Sequence, residues 1–485
     1  MGNGWHAFAS LFAADNRFCK LSQKEEPRLM KESPPPILVL GAGPKACSIW
    51  AKHKSLCEEG LQLSPITIFE KDRVASNWAG ATGYTDGLQF LVSPSEQDLG
   101  FPYSDSVFGP DLSNRLTQRM FKYSWQNYLL TVGGYPEWIA QDRPRAPHYQ
   151  FRDYLDWVAN ASEMHPAKTE IVQISVNAQN LWELRNETSE CSAPGVGLVI
   201  TGNGKPRILK GQPPHHGRIF DGESFWPNRN KFDDVEFARI AVIGAGETAA
   251  AIACNILAHI EKRSNSVIEL ICKQYSYFTR AEVSKDILYF SDPSAWSSLR
   301  EGRRFSIMRR ADRGVVSAGI KRRLEESDFV EYTTADADAI AVTDSDELLL
   351  SLKYGGETEQ VPYHYVIVAT GFDSMWFFEL FDGKTKIRLI DCVLDQMTDK
   401  QREELKTILN QSPDASSWLA ALETTEARRF FERSVERLIE DDLSLRKFVP
   451  KLHIPMLAGL SQGPGFPNLN CLGLLSDRIL KSYLI

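Results

Sequence analysis

Little in this chain suits a secreted, metal-bound or membrane-spanning protein. Its 8 cysteines are scattered over 485 residues, with no C-x-x-C pair and no ligand-like spacing to histidine, so neither a disulfide framework nor a zinc site is indicated. They read as reduced thiols of a cytoplasmic protein. No apolar run is long and uncharged enough to span a bilayer. Residues 1–33 lack the basic start, apolar centre and small-residue cleavage site of a secretory signal, and read as a flexible extension. Met1-Gly2 invites N-myristoylation, but His6 stands where Ser or Thr is expected. The net charge of −8 speaks against a sequence-independent nucleic-acid binder.

What is present is an ordinary globular composition, 43% hydrophobic and 24% charged, in a chain long enough for two or three domains. Beyond the triple proline Pro34-Pro35-Pro36, an apolar strand Ile37-Leu38-Val39-Leu40 runs into Gly41-Ala42-Gly43-Pro44-Lys45-Ala46. This is a G-x-G-x-x-A turn, whose glycines let backbone amides approach a pyrophosphate at a helix N-terminus. Gly41, Gly43, Pro44 and Ala46 are therefore expected to bind a cofactor, with the helix running to about Glu59. A second strand, Ile66-Thr67-Ile68-Phe69, ends in Glu70 at about the spacing of a carboxylate that grips a ribose hydroxyl. Asn77-Trp78 and the loop from Gly80 to Gly87 follow; Trp78 suits the wall of a ring-shaped cofactor, although a surface loop can look the same.

Helical apolar spacing marks Phe121 to Leu130 and Phe151 to Val158, and strands are expected over Glu170 to Val176, Leu181 to Leu184 and Gly197 to Ile200, the last closing in Thr201-Gly202. The plan then repeats. Arg239 to Ile243 leads into Gly244-Ala245-Gly246-Glu247-Thr248-Ala249, a helix to about His259 and a strand Val267 to Ile271. A hairpin is expected around Asp344-Ser345-Asp346, and the return strand Val366-Ile367-Val368 ends in Ala369-Thr370-Gly371. Gly244, Gly246, Thr248, Thr370 and Gly371 form the second candidate cradle. Where the first unit offers Glu70, the second offers Lys273, with Arg280 beyond; these cations favour a 2′-phosphate, so FAD suits the first bend and NADPH the second.

The domain plan is an FAD-binding part over 34–236, an NADPH-binding part over 237–368, and a return to the first over 369–485 with a helical, highly charged insertion at about 391–448. The fold class is α/β: two Rossmann-like dinucleotide-binding domains with a helical substrate-side portion. Arg303, Arg304, Arg309, Arg310 and Arg313 either help to hold the nicotinamide dinucleotide or face water. The closing run Gln462-Gly463-Pro464-Gly465-Phe466-Pro467-Asn468 suits a flavin or substrate contact, which adds Asn468 to the cofactor-binding set.

Taken together, these motifs and the runs Gly83-Tyr84-Thr85-Asp86-Gly87, Gly100-Phe101-Pro102-Tyr103, Tyr123-Ser124-Trp125-Gln126, Phe278-Thr279-Arg280, Ser291-Asp292-Pro293, Asp312-Arg313-Gly314-Val315 and Leu474-Leu475-Ser476-Asp477-Arg478 resemble the N-hydroxylating flavoprotein monooxygenases. The likeness runs from Pro36 to near the end of the sequence. It implies an enzyme that turns the side-chain amine of lysine into a hydroxylamine with NADPH, FAD and O2, for siderophores or related secondary metabolites. It places Gln97, Asp286 and Asp312 on the catalytic, substrate-facing side. Relatives tend to carry a lysine at the position of Gln97, where it meets a substrate carboxylate, and an asparagine near Lys285-Asp286-Ile287. Three readings stay open: a lysine N-hydroxylase, an N-hydroxylase of a diamine such as cadaverine, and a binding protein that has lost turnover. Two intact glycine fingerprints speak against the last. The expected partners are an amine and O2, without nucleic acid or a membrane span, and homo-oligomerisation is left open.

Overall fold

Two five-stranded parallel sheets organise the molecule. In the first, strands run in the order Lys451–His453, Gly197–Ile200, Ile37–Leu40, Ile66–Glu70, Ala167–Lys168; in the second, Val330–Thr334, Val267–Cys272, Arg239–Ile243, Tyr365–Val368, Ile219–Asp221. The computed structural model describes residues 34–80, 83–103, 107–261, 265–274, 276–279, 284–311 and 315–485. Pro35–Ile485 clusters as one compact unit.

Strand character follows from burial on both faces. All four residues of Ile37–Leu40 are buried, as are all four of Gly197–Ile200, which is what a continuous apolar run requires in the centre of a helix-covered parallel sheet. Helix Pro44–Glu58 starts on Pro44, whose missing N–H costs nothing in the first turn. It lies beside the C-terminal helix Leu472–Lys481, and the two are joined by an ion pair, Lys52 Nζ to Asp477 Oδ1 at 2.7 Å, with both side chains 6% exposed. In the second unit the small residues Ala249, Ala250 and Ala253 of helix Glu247–Ile260 let it pack closely on its sheet, sealed by Ile252, Ile256 and Leu257.

Several expectations change. The strand Ile219–Asp221, assigned to the first part by the boundary at 236, pairs in parallel with Val366–Val368 in the second sheet, and Phe220, Phe225, Trp226 and Phe232 join the second core. These aromatic side chains find their apolar partners on the second sheet and its helix. The helical pattern over 121–130 resolves into Pro110–Phe121 and Trp125–Val132, separated where Ser124 caps the second helix by accepting from the Asn127 amide at 3.2 Å. The expected hairpin gains a third strand: Asp336–Val342, Leu348–Tyr354 and Glu357–Tyr363 form an antiparallel sheet. The charged insertion holds helices Gly383–Leu394, Asp399–Leu409, Ala415–Ala421 and Thr425–Arg437, the first starting ahead of 391 on an Asp382 cap. Among the described residues no helix is long and apolar enough to cross a membrane, and no group of metal-ligating side chains is found.

Candidate active site

At the first glycine bend Gly41 sits at φ +96°, and a Cβ there would fall 2.8 Å from Thr201 Oγ1. Glycine is required on both counts. Thr201, from the Thr-Gly strand end, donates to the Leu40 carbonyl at 2.7 Å and so closes the bend from the neighbouring strand. A Cβ at Gly43 would meet nothing within 4 Å. Open space faces the start of helix Pro44–Glu58, as a pyrophosphate cradle needs. Glu70 accepts from the Ala42 amide at 2.8 Å through Oε2 and from the Asp72 amide at 3.0 Å through Oε1, and each oxygen keeps a lone pair for a ribose hydroxyl. These residues fit the adenosine diphosphate part of FAD. Trp78 is half-buried, edge-on to His148 at 4.8 Å and to Phe151 at 5.3 Å. Burial pushes the His148 imidazole down to about 4, so it is neutral, hydrogen-bonded to Thr85 Oγ1 at 2.9 Å.

The second bend opens on a cleft of about 590 Å³ lined by Gly244, Gly246, Thr248, Lys273, Thr370 and Gly371. Gly244 has φ +138°, and a Cβ on it would collide with the Ala369 carbonyl oxygen at 2.2 Å; at Gly246 a Cβ would meet nothing within 4 Å. Lys273 Nζ lies 2.7 Å from Asp336 Oδ2 on the cleft wall. Arg207, also in the lining, pairs with Glu432 at 3.2 Å. A glycine bend and open space before a helix fit the pyrophosphate of a dinucleotide, and each of the two cations in the lining is paired with a carboxylate, among four carboxylates that line the cleft.

The two bends meet at the C-terminal loop. Lys45, inside the first fingerprint, is buried, and its ammonium donates to the Pro467 carbonyl at 2.8 Å, while Pro467 also lines the second cleft. Burial lowers its affinity for the proton to a pKa of about 8. Asn468 donates to the Pro464 carbonyl at 2.7 Å and so tightens the same loop.

Gln97 is on a turn held by Asp98, a carboxylate with 0% exposure. Asp98 accepts from the Trp125 amide at 2.8 Å, the Gly100 amide at 3.0 Å and the Tyr103 hydroxyl at 2.7 Å; burial outweighs these donors and raises it to about 6. Gln97 accepts from Asn470 Nδ2, which also donates to Ser93 at 2.9 Å, and Asn470 Oδ1 is buried with no partner among the described residues. Asp286 is buried in the first turn of helix Ser284–Ser291. The end of that helix packs on the same loop, with the Cys471 thiol donating to the Phe290 carbonyl at 2.6 Å.

The structure thus gathers Gly41, Gly43, Pro44, Ala46 and Glu70 at one bend, and Gly244, Gly246, Thr248, Lys273, Thr370 and Gly371 at the other. Arg280 and Asp312 lie outside the described residues, as does Arg313. Of the remaining arginine cluster, Arg304 donates to the carbonyls of Leu299 and Leu460, whereas Arg303 and Arg309 are exposed and not among the cleft-lining residues. Sequence reasoning missed Asn470, Asp336 and Arg207. Asn470 meets Gln97 across 373 positions and Asp336 meets Lys273 across 63, separations that local pattern does not bridge.

Comparison with known proteins agrees with this geometry. The profile of the L-lysine 6-monooxygenase/L-ornithine 5-monooxygenase family matches residues 116–374. The L-lysine N6-monooxygenase MbtG of Mycolicibacterium paratuberculosis is 33% identical over 453 residues, covering 92% of this chain and 95% of that protein. The lysine monooxygenase NbtG from Nocardia farcinica superposes with a TM-score of 0.73 at 28% identity, over 92% of this chain and 100% of NbtG. The ornithine N-hydroxylase KtzI of Kutzneria sp. 744, whose structure contains reduced FAD, NADP+ and L-ornithine, shares the fold at a TM-score of 0.67 and 14% identity, over 92% of this chain and 98% of KtzI. On the profile match and the near full-length identity to MbtG, the chain belongs to the L-lysine 6-monooxygenase/L-ornithine 5-monooxygenase family.

Proposed function

We propose that this protein is an FAD- and NADPH-dependent L-lysine N6-monooxygenase that converts the side-chain amine to a hydroxylamine, one atom of O2 entering the product and the other leaving as water, in siderophore or related biosynthesis. The observation that carries the reading is a pair of intact phosphate-binding bends joined through one loop by Lys45 and Pro467, in a chain 33% identical to a lysine N6-monooxygenase over 92% of its length.

When bound, NADPH supplies the reducing electrons and FAD the oxygen chemistry. The chain's own residues bind, orient and exclude water. Gly41, Gly43, Pro44, Ala46 and Glu70 would hold the adenosine diphosphate of FAD, and Trp78 and Asn468 would add to its binding. Gly244, Gly246, Thr248, Thr370 and Gly371 would hold NADPH at the second bend, and Lys273 would take its 2′-phosphate. Gln97 and Asp286 position the amine. Arg280 with the cofactor and Asp312 with the catalytic side complete the assignment from the sequence alone.

A second reading, a diamine such as cadaverine as substrate, is favoured by one observation: Gln97, its partner Asn470 and the Ser93 hydroxyl that Asn470 also meets bring no charge to the position where a carboxylate would need one. Coupled hydroxylamine formation from L-lysine, L-ornithine, acylated lysine, cadaverine and putrescine separates the readings. Preferred turnover of L-lysine supports the first and of cadaverine the second; peroxide from every amine, with no hydroxylamine, contradicts both.

A further inference from the structure

In a dinucleotide-binding fold the end of the second strand faces the adenosine ribose, and the charge placed there separates phosphorylated from non-phosphorylated cofactors. Here that strand is Val267–Cys272, and two opposite charges stand together at its end. Lys273 and Asp336 are 2.7 Å apart, both line the cleft, and their side chains are 65% and 42% exposed. The backbone imposes the pairing. Thr334 is in parallel register with Cys272, the Ala335 amide donates to the Cys272 carbonyl at 3.0 Å, and the chain then delivers Asp336 as the first residue of strand Asp336–Val342.

The two charges ask for different ligands. An ammonium attracts a 2′-phosphate; a carboxylate repels it and accepts a hydrogen bond from a free 2′-hydroxyl. An exposed ion pair is weak, so an arriving phosphate displaces Asp336 from Lys273 easily, but it then has a like charge beside it.

We propose that Asp336 is a specificity-determining residue for the nicotinamide cofactor: it competes with the 2′-phosphate for Lys273 and offers an acceptor to the 2′-hydroxyl of a non-phosphorylated dinucleotide. The cleft therefore takes NADH as well as NADPH and separates them only weakly. This rests on the cleft being the NADPH site.

The test is equilibrium titration of the flavin-loaded protein with NADP+ and NAD+, and with 2′,5′-ADP and 5′-AMP as probes of the adenosine end alone. Wild type is expected to bind NADP+ and NAD+ with dissociation constants within about tenfold of each other. Asp336→Asn is expected to tighten NADP+ and 2′,5′-ADP by about tenfold and to weaken NAD+ and 5′-AMP. Lys273→Met is expected to weaken NADP+ by about tenfold while leaving NAD+ within about twofold. Both side chains are exposed, and retained flavin reports that each variant is folded. NADP+ binding by wild type with an unchanged 2′,5′-ADP to 5′-AMP ratio in Asp336→Asn overturns the inference and leaves the cleft assignment standing. Binding of neither dinucleotide by wild type overturns both.

Discussion

The backbone amide of Ala42 donates to Glu70 Oε2 at 2.8 Å, so the first glycine bend is fastened to the end of the second strand by the same carboxylate that is proposed to receive a ribose. Replacing Glu70 by Ala removes the acceptor for two backbone amides as well as the proposed ribose contact. Glu70→Ala is expected to weaken FAD by at least about tenfold and to lower stability by about 1–3 kcal/mol. Titration of flavin-free protein with FAD, followed by thermal unfolding of each form, checks both.

Gly244 tests the independence of the two cofactor sites. Gly244→Ala puts a methyl 2.2 Å from the Ala369 carbonyl and forces a side chain into a backbone conformation it rarely adopts. The variant is expected to purify yellow, since the first bend is untouched, yet to lose NADP+ affinity by a hundredfold or more, on the order of 3 kcal/mol. Binding measured by quenching of flavin or protein fluorescence reports the two losses separately.

Gln97→Lys places an ammonium where the neutral amide now accepts from Asn470. A carboxylate-bearing substrate gains a charged partner, whereas the second amine of a diamine is repelled. The expected outcome is a KM for L-lysine lowered about tenfold with kcat little changed, and a KM for cadaverine raised. Steady-state kinetics with product quantified as hydroxylamine checks the split.

His453 carries a pH dependence of stability. Its Nδ1 donates to the Asp442 carbonyl at 2.8 Å and its Nε2 accepts from the Tyr483 hydroxyl at 2.7 Å, while burial lowers the imidazole from 6.5 to about 4. Between those two values the unfolded chain holds a proton that the folded chain does not, so stability is full above pH 6.5 and falls as the pH drops toward 4. The loss amounts to about 3 kcal/mol. His453→Gln is expected to unfold at a lower Tm at neutral pH and to show a shallower decline between pH 6.5 and 4 than wild type.

Both glycine bends and the strands that feed them were legible because each is a local signal: a short apolar run, a G-x-G-x-x-A turn and a helix follow within a few residues. Long-range pairing was not. Strand Lys451–His453 completes the first sheet beside Gly197–Ile200, and Ile219–Asp221 crosses to the second, through partners that lie far away in sequence. The same holds within the site. Gln97 and Lys273 stood out as residue types at motif positions, but what each touches, Asn470 and Asp336, is set by where distant loops come to rest. Asp98 carries no local signal of its own; its burial and three donors make it the anchor of the Gln97 turn.

The most direct measurement supplies NADPH, FAD and L-lysine under isotopically heavy dioxygen and weighs the product. The expected result is N6-hydroxylysine carrying one heavy oxygen, formed in step with NADPH oxidation. NADPH consumption that yields only heavy hydrogen peroxide, with L-lysine and every other amine recovered unchanged, would contradict the account.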